Sequence, residues 1–212
     1  MTLVHVVTSR NRTQYKEQMS QYFRIRHEIF VEERGWEQLR RADGVERDQY
    51  DNAQAIYLLA LDNGRVVGGQ RLYPTLLPHM MSDVFANLAT RGVPRSESIF
   101  ECTRYFVVKE RRTGRTDCRL LAAMQEYCLS AGITDITAVV EMWWMPRWHQ
   151  IGFKVRPLGL PAVIENEPCM AAQIAISRES LEQVRRVGGL RGPSLLQEKR
   201  HPANERMPHV AA

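Results

Sequence analysis

The chain has 212 residues, 44% of them hydrophobic, and a formal net charge of +5. That size buries one full core, so a single domain over residues 1–187 is expected, followed by a basic, disordered tail over 188–212. No run of about eighteen apolar residues occurs, and the start lacks the basic flank and long apolar run of an export signal, so the expectation is a soluble, cytoplasmic protein off the membrane.

Cys102, Cys118, Cys128 and Cys169 form no C-x-x-C pair, and the six histidines never fall at ligand spacing, which argues against disulfides and against any bound metal. No G-x-S-x-G nucleophile motif is present. The positive charge is uneven. Arg104, Lys109, Arg111, Arg112, Arg115 and Arg119 face only Glu110 and Asp117 within 104–119, and 185–206 repeats that excess. An acidic partner follows, and a phosphate-bearing small molecule or an acidic carrier protein suits the first zone. No zinc-finger spacing, RNP-like aromatic motif or basic zipper accompanies it, so nucleic acid is not expected.

In chain order, Met1 to Val7 reads as a short strand. Arg12 to Arg34 carries Tyr15, Met19, Tyr22, Phe23, Ile25, Ile29 and Phe30 at helical spacing, as one long amphipathic helix or two consecutive ones. Gly35-Trp36 ends it, and the polar run Glu37 to Asp51 predicts a mobile loop with Trp36 at its base. Gln54 to Leu61 and Arg65 to Tyr73 flank Asp62-Asn63-Gly64, the pattern of a β-hairpin. His79 to Leu88 reads as a short helix, Ile99 to Val108 as a strand, and Asp117 to Ser130 as a helix stopped by Gly132. Thr134 to Met142 is strand-like, Pro146 to Gln150 a short helix, Phe153 to Arg156 and Met170 to Ile176 strands, and Arg178 to Val187 a closing helix.

The informative strand is Ile99 to Val108. It holds Glu101 and Arg104 among apolar residues and runs through an Arg/Gly turn into a helix, a design that holds phosphate on backbone N–H groups. Residues three apart on a regular strand face opposite sides, so Glu101 and Arg104 share a site only across a β-bulge, expected near Cys102 and Thr103. Otherwise they are two solvated charges on an edge strand. The mixed element order predicts an α+β, three-layer sandwich with a twisted mixed sheet between helices, and resembles the GNAT acyltransferase fold. Arg111-Arg112-Thr113-Gly114-Arg115-Thr116 loosely matches that family's R-x-x-G-x-G/A turn.

Taken together, Arg26-x3-Phe30-x5-Trp36, Asp48-x2-Asp51, Arg71 and Glu101-x2-Arg104 closely resemble the signature of the LuxI-type acyl-homoserine-lactone synthases. The resemblance implies acyl transfer from a thioester to the amine of S-adenosylmethionine, then lactonisation with release of 5′-methylthioadenosine and no tightly bound cofactor. It implies that Glu101 is the base, directly or through a water, that Arg104 grips the methionine carboxylate by a two-point contact, and that Arg26, Phe30, Trp36, Asp48, Asp51 and Arg71 shape the S-adenosylmethionine pocket, with 37–51 closing over it. Thr103, Phe106, Val108, Arg112, Gly114, Met142, Trp143 and Trp144 would line the acyl pocket and hold the donor. Two indoles there suit a short, branched or aryl chain, unless both are ordinary core. Met80 to Phe85, Arg104 to Arg112 and Glu141 to Arg147 are most similar to the rhizobial branch that uses acyl-CoA, with acyl-carrier protein the alternative donor. Two rival readings remain open: a GNAT enzyme acting on another amine, and a non-enzymatic nucleic-acid binder using the basic tail.

Overall fold

A computed structural model describes residues 2–196. The strands are β1 (Leu3–Val7), β2 (Ile56–Asp62), β3 (Arg65–Pro74), β4 (Ile99–Val107), β5 (Asp135–Glu141), β6 (Val155–Pro157), β7 (Ala162–Ile164) and β8 (Glu167–Ala175). They form one sheet in the order β1-β2-β3-β4-β5-β8-β6, with β7 also on β8. Only β4 and β5 run parallel among these pairs. The helices are α1 (Lys16–His27), α2 (Met80–Asp83), α3 (Thr116–Ala131), α4 (Trp144–Gln150) and α5 (Arg178–Gly188).

The apolar run of β2 is buried on both sides because the sheet is covered twice. Tyr57, Leu59 and Leu61 join Tyr22 and Phe23 of α1 in one core. Leu58 and Ala60 join Leu120 to Met124 of α3 and Leu181 and Val184 of α5 in the other. Two adjacent glycines let both layers close on β3. A Cβ on Gly69 would lie 2.7 Å from the Tyr22 ring, and one on Gly68 would lie 2.9 Å from Leu120, so each helix packs directly on bare backbone. The β2–β3 turn places Asn63 at φ 49° and Gly64 at φ 78°, the two positive angles of a type I′ hairpin.

Two expectations are corrected, one is refined, and one element was not foreseen. The helical run expected over 12–34, as one helix or two, is continuous over 12–33 but changes pitch, with a 3-10 turn over Arg12–Tyr15, then α1, then a π-helical turn over Glu28–Glu33. The helix expected over 79–88 is α2 plus a separate 3-10 turn at Ala86–Leu88, because the α2 end bonds back only as far as Met80. The β7–β8 hairpin was not foreseen; Glu165 and Asn166 both take positive φ at its tip without a glycine to announce it. Residues 188–196 are packed and do not form a disordered tail. Leu190 is buried in the α3/α5 core, Glu126 accepts hydrogen bonds from the Ser194 and Leu195 amides, and Leu195 bridges Val4 of β1. The rest of the expected tail, 197–212, lies outside the described residues.

Candidate active site

The bulge exists, but one residue later than expected. Arg71 on β3 pairs with Thr103 and Gly69 with Phe106, so β4 gains a residue between them. Arg104 takes it up in the left-handed region at φ 54°, a conformation that costs a non-glycine residue about 1–3 kcal/mol. The facing of the strand reverses there. Phe100 and Cys102 point to the α3 core, as does Val107, whereas Phe106 packs in the α1 core. Glu101, on the α1 side of the regular stretch, is thereby joined by Arg104, whose guanidinium lies 5.8 Å from the Phe30 ring.

Glu101 is 2% exposed, and its two oxygens accept from the amides of Met80 (3.0 Å) and Met81 (2.6 Å) at the start of α2. Burial is the dominant influence on its carboxyl and pushes the pKa up; the two N–H groups pull it back, and it settles at about 7. Met80 also meets Arg104, whose Nη1 approaches its sulfur at 3.4 Å. The acid and the guanidinium thus converge on one residue.

Arg104 belongs to a buried ionic network. Glu46, 1% exposed, accepts from Arg26 Nε at 2.5 Å and from Arg104 Nε and Nη2 at 3.0 Å each. Asp48 receives both terminal nitrogens of Arg71 (2.5 and 3.0 Å) and contacts Arg104 Nη2 at 3.1 Å. Asp51 takes Arg26 and Arg71 at 2.9 Å each, the Tyr57 hydroxyl at 3.0 Å and the Asp48 amide at 2.9 Å. Three guanidiniums and three carboxylates balance. Burial alone would push Glu46 and Asp51 up, but the facing arginine charges and their hydrogen bonds hold both carboxyls below the usual range.

Arg26, Asp48, Asp51 and Arg71 are not among the residues that line the cleft holding Glu101; they join Arg104 through Glu46 and Asp48 in the network beside it. Arg104 Nε and Nη2 donate to Glu46, and its Nη1 faces the weak sulfur acceptor of Met80. The segment 37–51 is not a free lid along its length: Glu46 and Tyr50 are buried, and the Glu46 amide donates to the Phe23 carbonyl at 3.0 Å. Glu46 itself was missed. Three arginines set against two aspartates left one positive charge over, and a buried cluster requires a third acid.

The cleft opens where β4 and β5 part. Their pairing runs from Ile99/Asp135 to Glu101/Thr137 and then stops, so the β5-facing edge of β4 has no strand partner beyond Glu101 among the described residues. Phe30, Trp36, Arg34, Glu101, Thr103 and Arg104 line one part, and Leu121, Met124, Ile136, Trp148 and Phe153 the apolar depth. Phe30 sits on the π-helical turn, a local irregularity frequent at functional sites, and stacks on Trp36 at 5.2 Å and 12°.

Of the expected donor residues, Thr103 and Trp144 border this cleft. Trp144 stands edge-on to Tyr105 with ring centroids 5.2 Å apart, and Tyr105 also borders the cleft, unforeseen because nothing in its neighbourhood sets it apart. Trp143 is 54% exposed and stacks on the outer face of Trp144. Phe106 is core under α1, stacked on Tyr22; Val108 and Met142 pack against the cores without bordering the cleft. Arg112 caps the Val107 carbonyl and pairs with Glu33 at 2.6 Å, and Gly114 lies in the turn, its amide on the Arg111 carbonyl.

The family described as Autoinducer synthase matches residues 10–184. The isovaleryl-homoserine lactone synthase of Bradyrhizobium diazoefficiens is 50% identical over 197 residues, 92% of this chain and 89% of that protein. A solved CoA-dependent acyl-homoserine lactone synthase, BjaI, with SAM and isopentyl-CoA, superposes with a TM-score of 0.90 at 49% identity, over 93% of this chain and 94% of that one. An acyl-CoA N-acyltransferase from Pseudomonas aeruginosa shares the fold alone, with a TM-score of 0.57 at 14% identity over 82% and 99% of the two chains. The GNAT-like sandwich, the bulged strand and the match from residue 10 to 184 lead to one conclusion: this chain belongs to the autoinducer synthase family, the acyl-homoserine-lactone synthases.

Proposed function

We propose that this chain transfers a short or branched acyl group from acyl-CoA to the amine of S-adenosylmethionine and closes the product to an N-acyl-homoserine lactone. The observation that carries the chemistry is the convergence of Glu101 and Arg104 on one cleft across the Arg104 bulge. An α-ammonium group must lose a proton before it attacks, and a carboxyl with a pKa of about 7 accepts that proton near neutral pH. The free amine adds to the thioester carbon. Backbone N–H groups on the open edge of β4 face the oxyanion, the C–S bond breaks, the nitrogen's second proton passes to the CoA thiolate, and the proton held by Glu101 is released to solvent. The methionine carboxylate, held by Arg104 Nη1, then attacks the carbon beside the sulfonium; that C–S bond breaks and neutral 5′-methylthioadenosine leaves. Stacked Phe30 and Trp36 offer π faces to the sulfonium or the adenine.

The short or branched acyl group is supported by the Trp144–Tyr105 pair at the cleft, and by the relative whose name specifies an isovaleryl product. Acyl-CoA is favoured by the CoA-dependent solved relative; acyl-carrier protein is the alternative donor. Incubation with S-adenosylmethionine and a panel of acyl-CoA and acyl-carrier donors decides. Methylthioadenosine and a lactone of five or fewer acyl carbons, formed fastest from acyl-CoA, are expected; faster turnover from the carrier donors would reverse the donor assignment.

A further inference from the structure

A second concavity lies away from the network just described. It is lined by Arg115, Glu182, Arg185, Arg186, Gly189 and Arg191, four guanidiniums against one carboxylate. The hollow sits where the N-terminal end of α3 meets the C-terminal end of α5. Arg115 is the residue that precedes the first turn of α3, and its guanidinium lies against Gly189, 3.8 Å from where a Cβ would stand. Among the described residues Arg115, Arg186 and Arg191 take part in no ion pair. Arg186 donates only to the neutral Gln183 side chain at 2.7 Å. Arg185 reaches Glu126 at 2.9 Å, but that carboxylate also serves the Ser194 and Leu195 amides, and Arg185 Nε is buried without a hydrogen-bond partner. Arginines that merely offset the dipole at the end of α5 would account for Arg185 and Arg186, not for Arg115 or Arg191.

Position identifies the occupant. β4 ends at Val107 and the chain turns over 108–115 to reach Arg115, so a donor whose thioester lies beside Glu101 and whose arm follows the open edge of β4 is directed toward this hollow. We infer that the hollow formed by Arg115, Arg185, Arg186 and Arg191 binds the phosphorylated nucleotide end of the acyl-CoA donor, its 3′-phosphate in particular. This rests on the acyl-CoA reading above. The nucleotide end carries roughly four negative charges, up to two of them on a phosphomonoester. Guanidiniums meet such a group with paired, charge-assisted hydrogen bonds. A carrier-bound arm brings a single phosphodiester and leaves this hollow to the acidic face of a protein.

The test compares isovaleryl-CoA with isovaleryl-dephospho-CoA, which lacks only the 3′-phosphate, in the full chain and in the exposed double variant Arg186→Gln/Arg191→Gln. In the parent protein KM for the dephospho donor is expected to be roughly tenfold higher, a gap that narrows with added salt. In the variant the two KM values should converge at the higher one while KM for S-adenosylmethionine holds. Equal KM values for the two donors in the parent protein would overturn the inference. So would a variant that weakens both donors alike, or one that slows only a carrier-protein donor, which marks a protein-docking surface. Absence of turnover with any acyl-CoA would instead remove the donor assignment, and this inference with it.

Discussion

Replacing Glu46 by Gln removes one negative charge from the centre of the ionic network and almost no volume. Its carboxylate is 1% exposed and bonds both Arg26 and Arg104, so the substitution leaves three guanidiniums facing two carboxylates out of water. Breaking a buried pair by removing one partner costs about 3–5 kcal/mol. Against a total stability of about 5–15 kcal/mol that is a large fraction, and for a chain of this size it lowers the melting temperature by roughly 10 °C. The carboxyl is held below its ordinary pKa in the folded state, so its contribution is complete above about pH 5 and fades as the pH falls through the folded value. The deficit of Glu46→Gln should therefore be full at pH 7 and smaller in acid. Urea unfolding followed by tryptophan fluorescence measures it, with Glu32→Gln as control, since Glu32 pairs with Arg40 on the open surface and its loss should leave the midpoint in place. Adding Arg104→Gln to Glu46→Gln restores the balance of charge, two against two, and should recover part of the loss. A Glu46→Gln midpoint equal to that of the control, or a double variant less stable than additivity, would refute the argument from charge.

Glu101→Gln is expected to lower turnover by two or more orders of magnitude while S-adenosylmethionine binding, read by calorimetry, changes little. The Glu101 pKa is raised in the folded state, so its ionisation opposes folding as the pH climbs from about 4.5 to about 7; Glu101→Gln should melt higher than the parent at pH 8, and the gain should vanish at pH 4. For the same reason kcat/KM in the parent should rise with pH on a limb centred near 7, and a flat profile across pH 6–8 would remove Glu101 as the base. Trp144→Ala opens the wall opposite Tyr105 and should shift preference towards longer acyl-CoA chains by at least tenfold in relative kcat/KM; unchanged chain preference would place the acyl group elsewhere. Glu126→Ala leaves the Ser194 and Leu195 amides without their acceptor and should cost about 1–3 kcal/mol, with faster proteolysis after residue 188 as its signature.

Local signals were legible in the sequence. Gly132 ends α3 at φ 72°, Asn63-Gly64 makes the tight hairpin, and the continuous apolar run of β2 is covered on both faces. The bulge was legible too, since no regular strand brings Glu101 and Arg104 together. Its location was not, because nothing marks Arg104 as the residue that adopts positive φ. The network was half legible: Arg71 and Arg104 stood out as charges in apolar strands, and Arg26, Asp48 and Asp51 by their spacing within the family signature. Which acid meets which guanidinium depends on partners 20 to 58 residues apart, and such pairings leave no periodicity. The strap over 188–196 was hidden by composition. Its backbone amides make the contacts with Glu126, and amides are the same in every sequence.

The network has a consequence for how the chain acquires its site. Its six members come from α1, the connection before β2, β3 and β4, so a chain that ends between β3 and β4 carries two of its guanidiniums against three carboxylates. A nascent or nicked chain that lacks β4 has Arg26, Arg71, Glu46, Asp48 and Asp51 with no guanidinium at the strand edge, and Glu101 is missing along with it. The ionic network is therefore complete only when the fourth strand docks, and the cleft only when α3, β5 and α4 close its far wall.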